Sequence, residues 1–323
     1  MNSNKQRLTF FGILLLGLTG VLAAQTPARD PLTVYAIRGP SGVAMIRLFE
    51  NPPVAAGGPV KMEALAQADL VAARFISGEA KVGMLPPNVA AKIASTGKRL
   101  QVAAVTGTGM LSLLTSDSSV RRFGDLRGKS IAVAGQGATP DFVFRRILQS
   151  KGFNPDTDMQ LNYSLAYPEI AQSLIAGRVA TALLPEPFAT MARSGRPDLR
   201  LVSDVQLEWQ QAGGIGNYPM TVLVVDADYA RSDPAGVRAI LGAIKASSEW
   251  VTANPAEAGA LVEKHDLGLR AAVVAAAIPR SNYVYIRVAE ARPALEALYR
   301  TFLQFSPESI GGKLPSDSFY LDL

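Results

Sequence analysis

The run Gly135-Gln136-Gly137-Ala138-Thr139-Pro140-Asp141 carries the most legible chemistry in this chain. Its two glycines turn the backbone. Thr139 suits an N-cap, Pro140 the first helical position, and Asp141 the positive end of a helix. Unpaired N–H groups at such a helix start attract anions or carbonyl oxygens. The spacing lacks the third glycine of a dinucleotide-binding turn, and no Gly-Lys-Ser/Thr follows as in a phosphate-binding P-loop. Taken alone, the run reads most simply as a well-capped strand-to-helix connection, with ligand holding as the second reading.

The remaining inventory points towards binding and away from catalysis. His265 is the single histidine in the chain, between Lys264 and Asp266 on an expected C-terminal helix, a setting that suits a solvated surface residue. A Ser-His-Asp triad needs a histidine beside a nucleophile, and no Gly-x-Ser-x-Gly elbow occurs. Cysteine is absent, which excludes disulfides, thiolate metal sites and thiol lipidation. Carboxylates are scattered, and no motif places a pair of them. The net charge of +5 is mild. The basic doublets Lys98-Arg99, Arg121-Arg122 and Arg145-Arg146 fit solvated faces better than a nucleic-acid footprint. No cofactor, no metal and no nucleic-acid partner are expected.

The elements that would position the glycine turn are a short apolar strand over Ser130–Ala134 and a helix with Val143, Phe144, Ile147 and Leu148 on one face, stopped at Gly152. The N-terminal part repeats this order. A strand over Leu32–Ile37 leads into Gly39-Pro40-Ser41-Gly42 and an apolar helix through Met45, Ile46, Leu48 and Phe49. Further on, Phe75–Pro86 can be laid on Leu174–Pro185: helix end, glycine stop, short strand, proline. A helix opens after each, at Asn88 and at Glu186-Pro187-Phe188. The shared order predicts two α/β lobes, each offering two strand-to-helix turns. Further strands are expected over 60–65, 81–85, 100–106, 111–115, 161–165, 179–184 and 220–225. Beyond Asp233-Pro234 the chain is expected to be helical up to a loop at Gly311-Gly312. Leu111–Thr115 is the expected crossover to the second lobe and Met220–Val225 the return. A ligand belongs in the cleft those two connections span.

Lys5 and Arg7 precede an apolar run over Leu8–Ala24 that ends in small residues, the pattern of a secretory signal peptide cleaved near Ala23 or Ala24. An uncleaved anchor is the alternative, since the run is only slightly short of the roughly 20 residues that span a bilayer. Gln25 stands where a lipoprotein would have its cysteine. The expected organisation is a signal peptide over 1–24, lobe one over 27–112 and 220–323, and lobe two over 113–219.

Several pieces carry a family resemblance: Asp125-Leu126-Arg127-Gly128-Lys129 ahead of the glycine turn, Leu184-Pro185-Glu186-Pro187-Phe188, and Trp250–Pro255 ahead of another helix. With the leader and the two lobes, they resemble the substrate-binding proteins of ABC transporters. The nearest branch is that of nitrate, sulfonate, taurine and thiamine-precursor uptake, over about Leu32 to Phe305. The resemblance implies a type II periplasmic-binding fold, two α/β lobes joined by a two-strand hinge. It also implies a monomeric periplasmic receptor that is not an enzyme and not an integral membrane protein once processed. Such a receptor captures a small-molecule solute and delivers it to the permease and ATPase of an importer.

Carried over to this sequence, the cleft turns are Gly39, Pro40, Ser41 and Gly42; Pro87 and Asn88; Thr106 and Thr108; Gln136, Gly137 and Thr139; and Glu186. Asn217 and Tyr218 lie on the return segment. Helix starts near Ser41, Asn88, Thr139 and Glu186 are expected to aim N–H groups into the cleft, with Tyr35, Trp209 and Tyr218 as aromatic lining. An inward Glu186 would favour a solute with a cationic or N–H-bearing part over bare nitrate or sulfate. The chain lacks the cysteine-rich motif of the thiamine-precursor members. It also lacks an arginine within the cleft turns to clamp a sulfonate, Arg38 being the nearest candidate. An enzyme on the same fold, of the pyrimidine-precursor synthase kind, would need a lysine-bound cofactor and histidines. A ligand-sensing domain is a further alternative.

Overall fold

Strand and helix alternate along most of the chain, because short β-branched runs are each followed by a turn and an amphipathic stretch. The computed structural model describes residues 31–55 and 57–323, so the expected signal peptide lies outside the described residues. The first stretch comprises β1 (Thr33–Ile37), α1 (Pro40–Ala44), α2 (Arg47–Glu50), β2 (Val54–Ala55), β3 (Gly58–Pro59), β4 (Lys61–Leu65), α3 (Ala68–Ser77), β5 (Val82–Leu85), α4 (Pro87–Ser95) and β6 (Leu100–Thr108). The second comprises β7 (Leu111–Thr115), β8 (Ser130–Val133), α5 (Thr139–Ser150), β9 (Gln160–Asn162), α6 (Tyr167–Ile175), β10 (Thr181–Pro185), α7 (Phe188–Gly195), β11 (Arg200–Asp204) and α8 (Val205–Gln211). The third comprises β12 (Pro219–Asp226), α9 (Ala227–Ser232), α10 (Pro234–Ala253), α11 (Pro255–Lys264), α12 (Ala271–Ala277), β13 (Tyr283–Arg287) and α13 (Val288–Phe305).

Two sheets result. The first has six strands in the order β13-β6-β12-β5-β1-β4, with β1 parallel to β4 and β5, and β12 antiparallel to β5 and β6. The second has five, β11-β7-β10-β8-β9, with β8 parallel to β9 and β10, and β7 antiparallel to β10 and β11. Parallel strands must be covered on both faces, which explains runs such as Val82–Leu85 and Thr181–Pro185, buried along their whole length. The protein is thus an α/β molecule of two lobes joined by a two-strand hinge, the expected fold class.

The expected strand over 111–115 coincides with β7, and the others shift by a few residues. Beside the two-residue strands β2 and β3, two longer strands depart from the expectation. The chain after Asp233 is not helical throughout, because Tyr283–Arg287 pairs with β6 as the edge of the first sheet. Arg200–Asp204 closes the second sheet against β7.

The crossing is made by Gly109 and Met110, between β6 and β7. Both adopt left-handed backbone, at φ 60° and 67°. For Met110 that conformation costs on the order of 1–2 kcal/mol, which the surroundings must offset. Tyr218 supplies much of the hold. Its carbonyl accepts from Gly109 N at 2.9 Å and its hydroxyl from Leu111 N at 3.2 Å. The carbonyl of Met110 accepts from Glu186 N at 3.0 Å.

The C-terminal helices tie the sheets together. Phe142 of α5 stacks on Phe305 (centroids 5.9 Å apart) and meets Phe302 edge-on at 5.2 Å, both on α13. On α5 itself Val143, Phe144, Ile147 and Leu148 are fully buried. Each of these side chains contributes roughly 1.5–3 kcal/mol of transfer free energy, so this face fixes the helix that follows the glycine turn.

Candidate functional site

The helix after the glycine turn begins one residue earlier than its sequence suggests. Ala138 is the N-cap, extended at φ −119°, while Thr139 and Pro140 occupy the first two helical positions. Asp141 organises the turn. One carboxylate oxygen accepts from Gly137 N at 2.9 Å, and the other from Arg145 Nε at 2.7 Å and the Tyr163 hydroxyl at 2.6 Å. Asp141 is only 2 % exposed and therefore needs these partners. Its pairing with Arg145 leaves the turn with no uncompensated carboxylate.

Opposite this turn stands the start of α4. Pro86 and Pro87 stop the preceding strand and open the helix, which puts Asn88 in its first turn. The Asn88 amide donates to the carbonyl of Gly137 at 3.1 Å, from the first lobe to the second. Asn88 Oδ1 and Thr139 Oγ1 are both buried with no protein partner. Two buried, unpartnered polar atoms at one seam mark a place for a ligand's hydrogen bonds, since each costs about 1–3 kcal/mol while unmet.

An aromatic pair extends the seam. Tyr167, at the start of α6, stacks on Phe188, at the start of α7, with centroids 5.7 Å apart. A Cβ on Gly39 would lie 3.6 Å from the Phe188 ring, and one on Gly135 would lie 3.4 Å from the Tyr167 hydroxyl. Burial pushes the Tyr167 phenol above its ordinary range, so it stays a neutral O–H. The line Asn88, Gly137, Gly135, Tyr167, Phe188, Gly39 thus runs along both lobes. Phe188 belongs to a motif visible in the sequence, yet neither it nor Tyr167 was an expected aromatic contact. A ring directly after Glu186-Pro187 was the available signal.

The other expected residues lie as follows. Pro40 opens α1, which is only five residues long. Ser41 Oγ bonds back to Ile37, donating to its carbonyl at 2.9 Å and accepting from its N–H at 3.0 Å. Gly42 is a packing glycine, where a Cβ would come within 2.7 Å of Leu267. The carbonyl of Pro87 accepts from the Tyr299 hydroxyl at 3.3 Å. Thr106 donates to the sulfur of Met84, and Thr108 is buried in its pairing with Pro219. Gln136 is exposed, and Asn217 accepts from Gln210 Nε2 at 3.5 Å.

Three aromatic residues expected as lining serve elsewhere. Tyr218 and Trp209 form an edge-on pair, centroids 5.9 Å apart, at the crossing. Tyr35 is buried and donates to Glu79 at 2.8 Å.

Glu186 is also committed. It precedes α7, which begins at Phe188, and its Oε2 accepts from Thr190 N at 3.0 Å as a helix cap. Its Oε1 meets Arg280 Nε at 3.4 Å. The carboxylate is buried with both oxygens engaged, so it makes no demand for a cationic ligand. Among the described residues no cluster of three or more His, Asp or Glu is gathered for a metal.

Two α/β lobes, a paired crossing and a polar seam between helix starts define a two-lobed α/β architecture with a candidate site between the lobes. The profile of the NMT1-like family matches residues 51–264, well over half of the chain, and the chain belongs to that family. A crystal structure described as an ABC transporter from Parabacteroides distasonis superimposes at a TM-score of 0.77, with 26% identity, covering 90% of this chain and 99% of that one. The periplasmic aliphatic sulphonate binding protein of Escherichia coli superimposes at 0.69, with 15% identity, over 88% and 89% of the two chains. The periplasmic nitrate-binding protein of Synechocystis does so at 0.57, with 13% identity, over 75% and 68%. The last two likenesses concern the fold alone. No curated protein sequence matches the chain.

Proposed function

We propose that this protein is the extracytoplasmic solute receptor of an ABC importer, holding a small polar organic solute between its lobes and delivering it to a permease and ATPase. One observation carries the reading: the Asn88–Gly137 bond across the seam, flanked by the unpartnered oxygens of Asn88 and Thr139. The family membership and the fold of its structural neighbours agree with it.

Lobe one is assigned to residues 27–112 and 220–323 and lobe two to 113–219, with Gly109–Leu111 and Tyr218–Pro219 as the hinge. The solute site comprises Asn88, Gly137 and Thr139 with Gly39, Tyr167 and Phe188. Asn88 Oδ1 can only accept, so the solute carries an N–H or O–H there. Thr139 Oγ1 either donates or accepts. Phe188 and Tyr167 offer ring faces to an apolar or planar part. The carboxylates beside the seam, Asp141 and Glu186, are paired with Arg145 and Arg280. This balance favours a neutral or zwitterionic solute over a bare inorganic anion.

The receptor is placed in the periplasm as a monomer, released from its leader near Ala24. No helix of the described residues is long and apolar enough to cross a membrane, which accords with that placement. Thermal-shift screening against sulfonates, nitrate, amino compounds and small heteroaromatics, followed by calorimetry of any hit, tests the reading. Stabilisation by a hydrogen-bond-donating organic solute supports it, and stabilisation by nitrate or sulfate alone contradicts it.

A further inference from the structure

Tyr299 lies within α13, and its side chain is wholly buried. Its neighbours are rings. The Phe302 centroid is 6.2 Å away, and Phe319 of the C-terminal tail meets it edge-on at 6.3 Å. Phenylalanine would pack in such a cluster without bringing in a polar atom, and a buried hydroxyl is costly unless it finds a partner. The Tyr299 hydroxyl finds one 212 residues away, donating to the carbonyl of Pro87 at 3.3 Å. That carbonyl belongs to the first residue of α4, directly before Asn88. Local chemistry holds this helix start weakly. Pro86 stands at the N-cap and makes no side-chain cap bond, and neither Pro86 nor Pro87 has an N–H. Ala90 N, bonded to the Pro86 carbonyl at 3.1 Å, closes the first turn. A carbonyl has two lone pairs, so that of Pro87 can take the hydroxyl beside its helical bond.

The same helix supports the facing wall of the seam. Phe302 lies nearly one turn beyond Tyr299 and meets Phe142 edge-on. Phe142 in turn lies nearly one turn beyond Thr139 on α5. Thus α13 touches both walls, α4 through the Tyr299 hydroxyl and α5 through Phe302. We infer that Tyr299 is a positioning residue for the seam. Its hydroxyl holds the first turn of α4 so that the Asn88 amide meets the Gly137 carbonyl. The importance of Asn88 to a solute rests on the receptor reading above, whereas the positioning involves protein atoms alone.

Tyr299→Phe removes the hydroxyl and keeps the ring. Tyr320→Phe is the matched control, because the Tyr320 hydroxyl is buried in the same cluster without a protein partner. Nuclear magnetic resonance of protein isotope-labelled at asparagine gives the readout. Asn88→Ala identifies the Asn88 side-chain amide by its missing signal. In the wild type that amide should exchange slowly with solvent, because it is bonded to Gly137. We expect Tyr299→Phe to shift its proton resonance and speed its exchange about three- to tenfold, the scale of one lost buried hydrogen bond. Tyr320→Phe should leave both at their wild-type values. A Tyr299→Phe protein that melts lower but keeps the wild-type Asn88 signal would overturn the inference, since the role would then be structural only. Equal changes in the two variants would overturn it too, as a general loosening of the cluster. An Asn88 amide that exchanges freely in the wild type would overturn the seam bond and the receptor reading together. Failure of the receptor reading alone looks different: the response to Tyr299→Phe persists while no solute stabilises the wild type.

Discussion

Asn88 and Gly137 face each other across the two lobes at 3.1 Å, the side-chain amide of one donating to the backbone carbonyl of the other. The geometry uses one end of the Asn88 amide for the protein and leaves Oδ1 buried without a partner, the atom that the proposed site gives to the solute. Replacing Asn88 with Ala removes both functions. Calorimetry should show solute affinity weakened roughly 10- to 100-fold, the range expected when a buried hydrogen bond is lost. Unchanged affinity would place the solute elsewhere.

Thr139→Val separates binding from stability. The buried hydroxyl has no protein partner, so the isosteric valine removes an unmet polar group. The unliganded protein should melt at the same temperature or slightly higher, while the solute binds more weakly. A large loss of stability would mean that the hydroxyl is satisfied in the folded protein.

Two glycines give opposite outcomes on substitution. A Cβ on Gly214 would fall 2.1 Å from the Trp209 indole, so Gly214→Ala should destabilise by about 1–3 kcal/mol through overpacking. Gly242 lies within α10 with open space around it, and Gly242→Ala should stabilise by about 1 kcal/mol. Thermal or urea unfolding reads both.

Alkaline pH should expose the Tyr35–Glu79 contact. Burial, reinforced by the hydrogen bond to Glu79, pushes the Tyr35 phenol up to about 12 from its ordinary 10.0. The folded pKa lies above the unfolded one, so its stabilising share is complete below pH 10.0 and is lost as pH rises towards about 12. Urea titrations across that window should show stability falling less steeply for Tyr35→Phe than for the wild type. Equal slopes would mean that the phenol titrates alike in both states.

The alternation of elements was legible because β-branched runs and glycine turns write it directly, as at Leu111–Thr115. Tyr283–Arg287 carried the same aromatic and β-branched signal, but it is five residues wedged between helices and its pairing with β6 is long-range. Arg200–Asp204 is a largely exposed edge strand, so it shows little hydrophobic alternation. At the seam, Asn88, Gly137 and Thr139 were readable from helix-start chemistry. Residue type does not reveal which way a ring points, and so Tyr218 and Trp209 were expected in the cleft although they pack at the crossing. The Glu186–Arg280 pair leaves no local trace, since its members are 94 residues apart.

The proposed signal peptide makes a prediction of its own. N-terminal sequencing of protein recovered from the periplasm should begin near Gln25, as the small residues Ala23 and Ala24 indicate. An intact Met1 on membrane-bound protein would instead identify an anchor.

The central claim is that a small polar solute occupies the seam at Asn88 and Thr139. Native mass spectrometry of protein released from the periplasm without refolding, comparing wild type with Asn88→Ala, tests it most directly. The account predicts a wild-type species carrying the extra mass of one small organic molecule, depleted or absent in the variant. A bound molecule retained equally by both proteins would contradict it.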